Sequence, residues 1–237
     1  MISRASKFEF LDRGASKTIL LVPGWASDHR VFDTLDLKAN YLLPTEFSPF
    51  GFDKCLSEAL DRYNLDKIDA MGHSMGGFVV SDLLSGYGDK INAVVFAGVR
   101  GRYEKGVIDE TRAKLRNNKR AFLYKFYRNW FSDYEKKGLA WFKRNLLNDY
   151  IEKIGMDKLL EGLDYLSEAQ MNPDALCGVK LRFIHGAQDK IAPIEKALEL
   201  KNSLPGSEFI AMENTGHMPF LNMNFKRIFY NGHDLRR

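Results

Sequence analysis

Cysteine is scarce: the chain carries two, Cys55 and Cys177, in no C-x-x-C or other metal-ligand spacing. That excludes a disulfide-rich secreted scaffold and points to a reducing compartment. Long apolar runs are missing as well. No stretch approaches the ~18 uninterrupted apolar residues that would cross a bilayer. The opening residues, Met1 to Lys7, have no apolar h-region of a secretory signal. A cytoplasmic, monomeric protein is expected. Repeats, low-complexity tracts and Pro/Gly-rich linkers are absent, so 237 residues fit one large domain, or one domain with an insertion. No His/Cys/Asp/Glu cluster has ligand spacing, and neither metal nor cofactor is expected.

Charge is unevenly spread. The formal net charge is +4, yet between Glu110 and Arg144 eleven Lys/Arg stand against three Asp/Glu, a local net of +8. The remainder of the chain is mildly acidic. This asymmetry concerns partners rather than fold.

Short β-rich apolar runs recur at Thr18–Val22, Tyr41–Leu43, Ile68–Met71, Ala93–Ala97, Leu181–Ile184 and Glu208–Ala211. Several are continuous rather than alternating, as strands covered on both faces are. Helical patterns lie between them: Phe52–Tyr63, Met75 to about Leu84, and a helix opening near Pro193. This alternation predicts a mostly parallel sheet with helices on both faces, and Phe8–Leu11 an antiparallel strand at its leading edge. The alternation stops between about Val99 and Cys177. Arg112–Arg128, Tyr134–Leu147 and Tyr150–Leu166 are helical in pattern. The expected division is a core of residues 1–99 and 178–237 with a helical lid over 100–177, above the edge where open α/β sheets bind ligands.

Gly72-His73-Ser74-Met75-Gly76-Gly77 matches G-x-S-x-G between a strand-like and a helix-like run. A nucleophile on so sharp a turn is strained and crowded, so residues two before and two after it must be small. The turn also aims a helix N-terminus at developing negative charge. A serine hydroxyl needs a base to take its proton. Of His29, His73, His185, His217 and His233, only His217 follows the last strand and precedes the final helix, where the base belongs when the order is serine, acid, histidine. Asp189, just past the Leu181–Ile184 strand, is the candidate acid that holds the imidazole; Asp164 is a weaker substitute. Pro23-Gly24-Trp25-Ala26 follows the Thr18–Val22 strand, and the backbone N–H groups of Trp25 and Met75 are the candidate oxyanion donors.

With these motifs the sequence resembles the α/β-hydrolase superfamily over essentially its full length. Within it the chain is similar to the pimeloyl-[acyl-carrier-protein] methyl ester carboxylesterases of biotin synthesis. Gly24-Trp25, Gly72 to Gly77, Gly186-Ala187-Gln188-Asp189 and Gly216-His217-Met218-Pro219-Phe220 carry that resemblance. Pro23 departs from it, since the family has histidine before Gly-Trp. The resemblance implies an α/β-hydrolase fold whose helical lid is inserted after the sixth strand, with Ser74, Asp189 and His217 as a triad. It also implies hydrolysis of a methyl ester on acyl carrier protein. That carrier is acidic, and the basic segment suits it: Arg112, Arg116, Arg120, Arg128 and Arg144 are candidate contacts, with Phe131 among the lid's aromatic candidates for an acyl tunnel. Short-chain carboxylesterases, thioesterases and menaquinone-pathway lyases use the same three residues and stay open, as does a ligand receptor on this fold. Haloalkane dehalogenase chemistry is disfavoured, because it needs aspartate where Ser74 stands. Nucleic acid and membrane partners are not expected.

Overall fold

A computed structural model describes residues 7–231; His233, one of the five histidines weighed as base, lies outside them. The apolar runs become β1 (Lys7–Leu11), β2 (Thr18–Val22), β3 (Asn40–Glu46), β4 (Ile68–His73), β5 (Ile91–Ala97), β6 (Lys180–Gly186) and β7 (Glu208–Met212). One sheet results, ordered β1-β3-β2-β4-β5-β6-β7, with β1 antiparallel to β3 and every other neighbour parallel. β2 is buried at all positions, which is why its sequence has no polar alternation. β1, at the edge, buries Phe8 between exposed Lys7 and Glu9.

Outside the insertion the helices are α1 (Phe52–Arg62), α2 (Met75–Tyr87), α9 (Ile194–Asn202) and α10 (Phe225–Asn231), numbered so that α3 to α8 fall in the insertion. β2 has β3 on one side and β4 on the other, so the strand order reverses there. The register sets Val22 level with Gly72, His73 with Ala97, Ala97 with Ile184, and Gly186 with Met212. The loops after β2, β4, β5, β6 and β7 therefore leave from one carboxyl edge, the usual ligand edge of such a sheet.

The insertion holds α3 (Lys105–Asn117), α4 (Lys119–Arg128), α5 (Lys136–Asn145), α6 (Leu147–Lys153), α7 (Met156–Glu168) and the single turn α8 (Pro173–Leu176). Among the described residues it follows the fifth strand rather than the sixth, since one strand, β1, comes before the strand that leads into the Trp25 loop. The long Arg112–Arg128 pattern is two helices. Asn118 turns extended, and its side chain accepts the Ala121 N–H at 2.9 Å, ending one helix and capping the next. Tyr150–Leu166 divides likewise at Ile154 and Gly155, both extended. The neck is closed by an antiparallel bridge between Arg102 and Gln170 and by the Met171 N–H donating to Gly101 at 2.9 Å.

The lid has its own aromatic core. Tyr127, Trp130, Phe131, Phe142 and Tyr150 are each at most 1% exposed, and the rings pack edge-to-face or tilted. Phe131 lies against Phe142 and Gly138, so its ring is occupied in packing. Polar ties hold the lid to the core. Tyr127 donates to the Ala26 carbonyl at 2.8 Å, Trp25 Nε1 to the Leu159 carbonyl at 2.9 Å, and Tyr150 to Asp28 at 2.9 Å. Among the described residues, no helix is long and apolar enough to cross a membrane.

Candidate active site

Ser74 stands between the end of β4 and the first turn of α2 with φ 51° and ψ −117°, a backbone conformation that L side chains rarely adopt. Crowding explains the small residues around it. A Cβ at Gly72 would lie 2.6 Å from the Gly76 carbonyl oxygen, and one at Gly76 would collide with the Val22 carbonyl. The turn is held by the Ser74 N–H donating to Ala97 at 3.0 Å and the Gly77 N–H donating to Ser74 at 2.9 Å. Tyr103 lies near Ser74, and burial pushes its phenol up to about 12 despite the neighbouring Arg100.

His217 Nδ1 donates to Asp189 Oδ2 at 2.7 Å, and both side chains are closed to solvent. The other oxygen of Asp189 accepts the Ile191 and Ala192 N–H groups, each at 2.8 Å. Burial works to raise the Asp189 carboxyl, but the His217 charge and hydrogen bond outweigh it and hold the group below the ordinary carboxylate value. Ser74 and His217 each adjoin the end of β5. The Ser74 N–H is bonded to Ala97, and Gly98, the next residue, faces His217 so closely that a Cβ there would lie 2.8 Å from its carbonyl oxygen and 3.1 Å from Nδ1. Gly98 also has φ +60°, so glycine is required there on both counts.

His73 and His185 are buried and tied to backbone carbonyls. His73 Nε2 donates to the His217 carbonyl at 3.0 Å, with its ring 4.8 Å from the His217 ring. Burial, with His217 alongside, holds His73 well below the ordinary histidine value. His185 Nε2 donates to Ala192 at 2.7 Å, and burial lowers it too. Asp164 is on the lid surface, paired with Arg112 at 2.6 Å.

The Trp25 and Met75 N–H groups have no hydrogen-bond partner among the described residues. Gly24 abuts Ser74, since a Cβ on it would come within 3.1 Å of the Ser74 Cβ. Gly24, Trp25 and Met75 border a cavity of about 20 Å³ beneath Leu159 and Gly162 of α7. That volume holds about one water. The arginines are not gathered at this cavity. Arg112 pairs with Asp164, Arg120 with Glu152 and Arg128 with Asp133, while Arg116 and Arg144 are exposed with no ion pair among the described residues. Sequence pattern gave no signal for Tyr103, or for the lid backbone at Trp130, whose carbonyl accepts the His217 N–H at 2.7 Å.

A family model described as the alpha/beta hydrolase fold matches residues 23–222. The chain belongs to the alpha/beta hydrolase fold family. This alpha/beta hydrolase is similar in structure to an esterase from Exiguobacterium antarcticum, at 17% identity over 94% of this chain and 92% of that one, with TM-score 0.77. It is also similar to a thermophilic esterase from Thermogutta terrifontis, at 18% identity over 97% and 93%, with TM-score 0.78. A bromoperoxidase from Bacillus anthracis aligns at 19% identity over 94% and 90%, with TM-score 0.76. At these identities the likeness is one of fold.

Proposed function

We propose that this alpha/beta hydrolase is a serine carboxylic-ester hydrolase working through an acyl-enzyme on Ser74, with the methyl ester of a pimeloyl chain on acyl carrier protein as substrate. The observation that carries the chemistry is the buried Asp189–His217 pair set against Gly98, the neighbour of the residue that anchors Ser74. The Ser74 hydroxyl attacks the ester carbon while His217 Nε2 takes its proton. The oxyanion is received by the unpartnered N–H groups of Trp25, in the loop after β2, and Met75, at the start of α2. The imidazolium, stabilised by Asp189, then protonates the departing alkoxide. Water repeats the sequence on the acyl-enzyme, releasing acid and restoring Ser74. Each backbone donor is worth about 10²–10³ in turnover.

The carrier part of the proposal is supported by charge. Arg116, Lys125, Lys143 and Arg144 remain exposed on the lid after Arg112, Arg120 and Arg128 are paired, and a positive face steers an acidic protein. Short-chain esters, which need the same nucleophile, base and oxyanion donors, are the second candidate. A panel of free and carrier-borne methyl esters, graded by acyl length, separates the two. With Arg116→Glu and Arg144→Glu, turnover of the carrier-borne ester is expected to fall at least tenfold more than that of a free short ester. Equal losses would remove the carrier.

A further inference from the structure

Glu135 lies at the end of the segment that joins α4 to α5, and its side chain reaches out of the lid into the loop that carries His217. A single oxygen, Oε2, accepts two backbone N–H groups: Gly216 at 2.7 Å from the base loop and Ser132 at 2.8 Å from the lid itself. Two further bonds run alongside it. Ser132 Oγ donates to the Asn214 carbonyl and the His217 N–H donates to the Trp130 carbonyl, both at 2.7 Å. Asn214, Gly216 and His217 are thus each bonded to the lid.

The approach is close enough to require glycine. A Cβ at Gly216 would stand 2.5 Å from the Trp130 carbonyl oxygen and 3.0 Å from Glu135 Oε2. From the core side, the same loop is held by His73 on the His217 carbonyl and by the Gln188 N–H on Thr215 at 2.9 Å. The imidazole is therefore located by a loop gripped from two sides, and one side is the lid.

We infer that Glu135 is a positioning residue for His217, fixing the base loop from the lid through two accepted hydrogen bonds. This rests on the proposed role of Ser74 and His217. What the site needs is an acceptor at the right reach, because a buried N–H left unpaired is destabilising. Negative charge is not what the site rewards: burial, with Asp189 nearby, pushes the Glu135 carboxyl up from its ordinary value. Glutamine presents an acceptor oxygen at the same length. Aspartate keeps the charge but falls one methylene short.

The test compares Glu135→Gln with Glu135→Asp, each at an active-site concentration fixed by stoichiometric organophosphate labelling. Two quantities are read: kcat and KM on a short p-nitrophenyl ester, and the downfield proton resonance of His217 Nδ1 without substrate. Glu135→Gln is expected to keep kcat within about threefold and leave the resonance in place. Glu135→Asp is expected to lower kcat at least tenfold with KM within twofold, and to shift or broaden the resonance, since a displacement near 1 Å can cost about 10²-fold. Wild-type behaviour in Glu135→Asp, or a Gln variant as poor as the Asp one, would overturn the inference. Because the resonance needs no turnover, a wild-type protein inert toward esters would count against the hydrolase proposal and leave the positioning result legible.

Discussion

Replacing Asp189 by asparagine isolates the orientation of the base from the packing around it. The oxygen that accepts the Ile191 and Ala192 N–H groups at 2.8 Å can be kept by the amide oxygen. The amide nitrogen then faces His217 Nδ1, where a carboxylate oxygen sits at 2.7 Å. Turning the amide over would orphan the two N–H groups at about 1–3 kcal/mol each, so asparagine stays in the first orientation. The imidazole must then accept at Nδ1 and carry its proton on Nε2, where the Ser74 proton has to arrive. A wrong tautomer of this kind lowers kcat by about 10⁴. That corresponds to a barrier higher by about 5 kcal/mol. The assay is initial-rate hydrolysis of a short p-nitrophenyl ester, with a thermal melt confirming an intact fold. Turnover within tenfold of wild type, in a protein melting normally, would refute the assignment of Asp189 and with it the path of the proton.

Gly98→Ala is expected to strain both fold and site. A left-handed residue with a Cβ costs about 1–2 kcal/mol, and the new methyl group lies 2.8 Å from the His217 carbonyl oxygen. The melting temperature should fall by about 2–8 °C, and kcat should drop while KM holds; an unchanged melt and rate would contradict the packing. Stability should also depend on pH through the buried histidines. His73 and His185 are both depressed by burial, so the folded state binds fewer protons than the unfolded chain below about pH 6.5. Their contribution is complete above that value and declines as the pH falls, with a slope approaching about 1.4 kcal/mol per pH unit for each histidine. Urea unfolding between pH 7 and 5 measures this, and a flat profile would rule it out.

The parts legible in the sequence were those set by local chemistry. The runs forming β2 and β5 are apolar without alternation because both faces are covered, and Gly72 and Gly76 are small because the Ser74 turn leaves no room. Asp189 and His217 followed from chain order once the strands before them were recognised. Contacts made across long separations left no such trace. The acids that neutralise Arg112 and Arg120, Asp164 and Glu152, come from later helices folded back, so a charge count along one segment overstates the free basic surface. Phe131 stands in an aromatic-rich stretch, but its ring closes the lid core. Glu135, the Trp130 carbonyl and the His73 bond to His217 act through backbone groups that carry no residue signature.

The most direct measurement is mass spectrometry of protein quenched during turnover of a short p-nitrophenyl ester, with the peptide spanning Gly72 to Gly77 as the target. An acyl group attached to Ser74 in the wild-type protein, and neither adduct nor turnover in Ser74→Ala, is the predicted result. Undiminished hydrolysis by Ser74→Ala, or an acyl group found on another residue, would contradict the account.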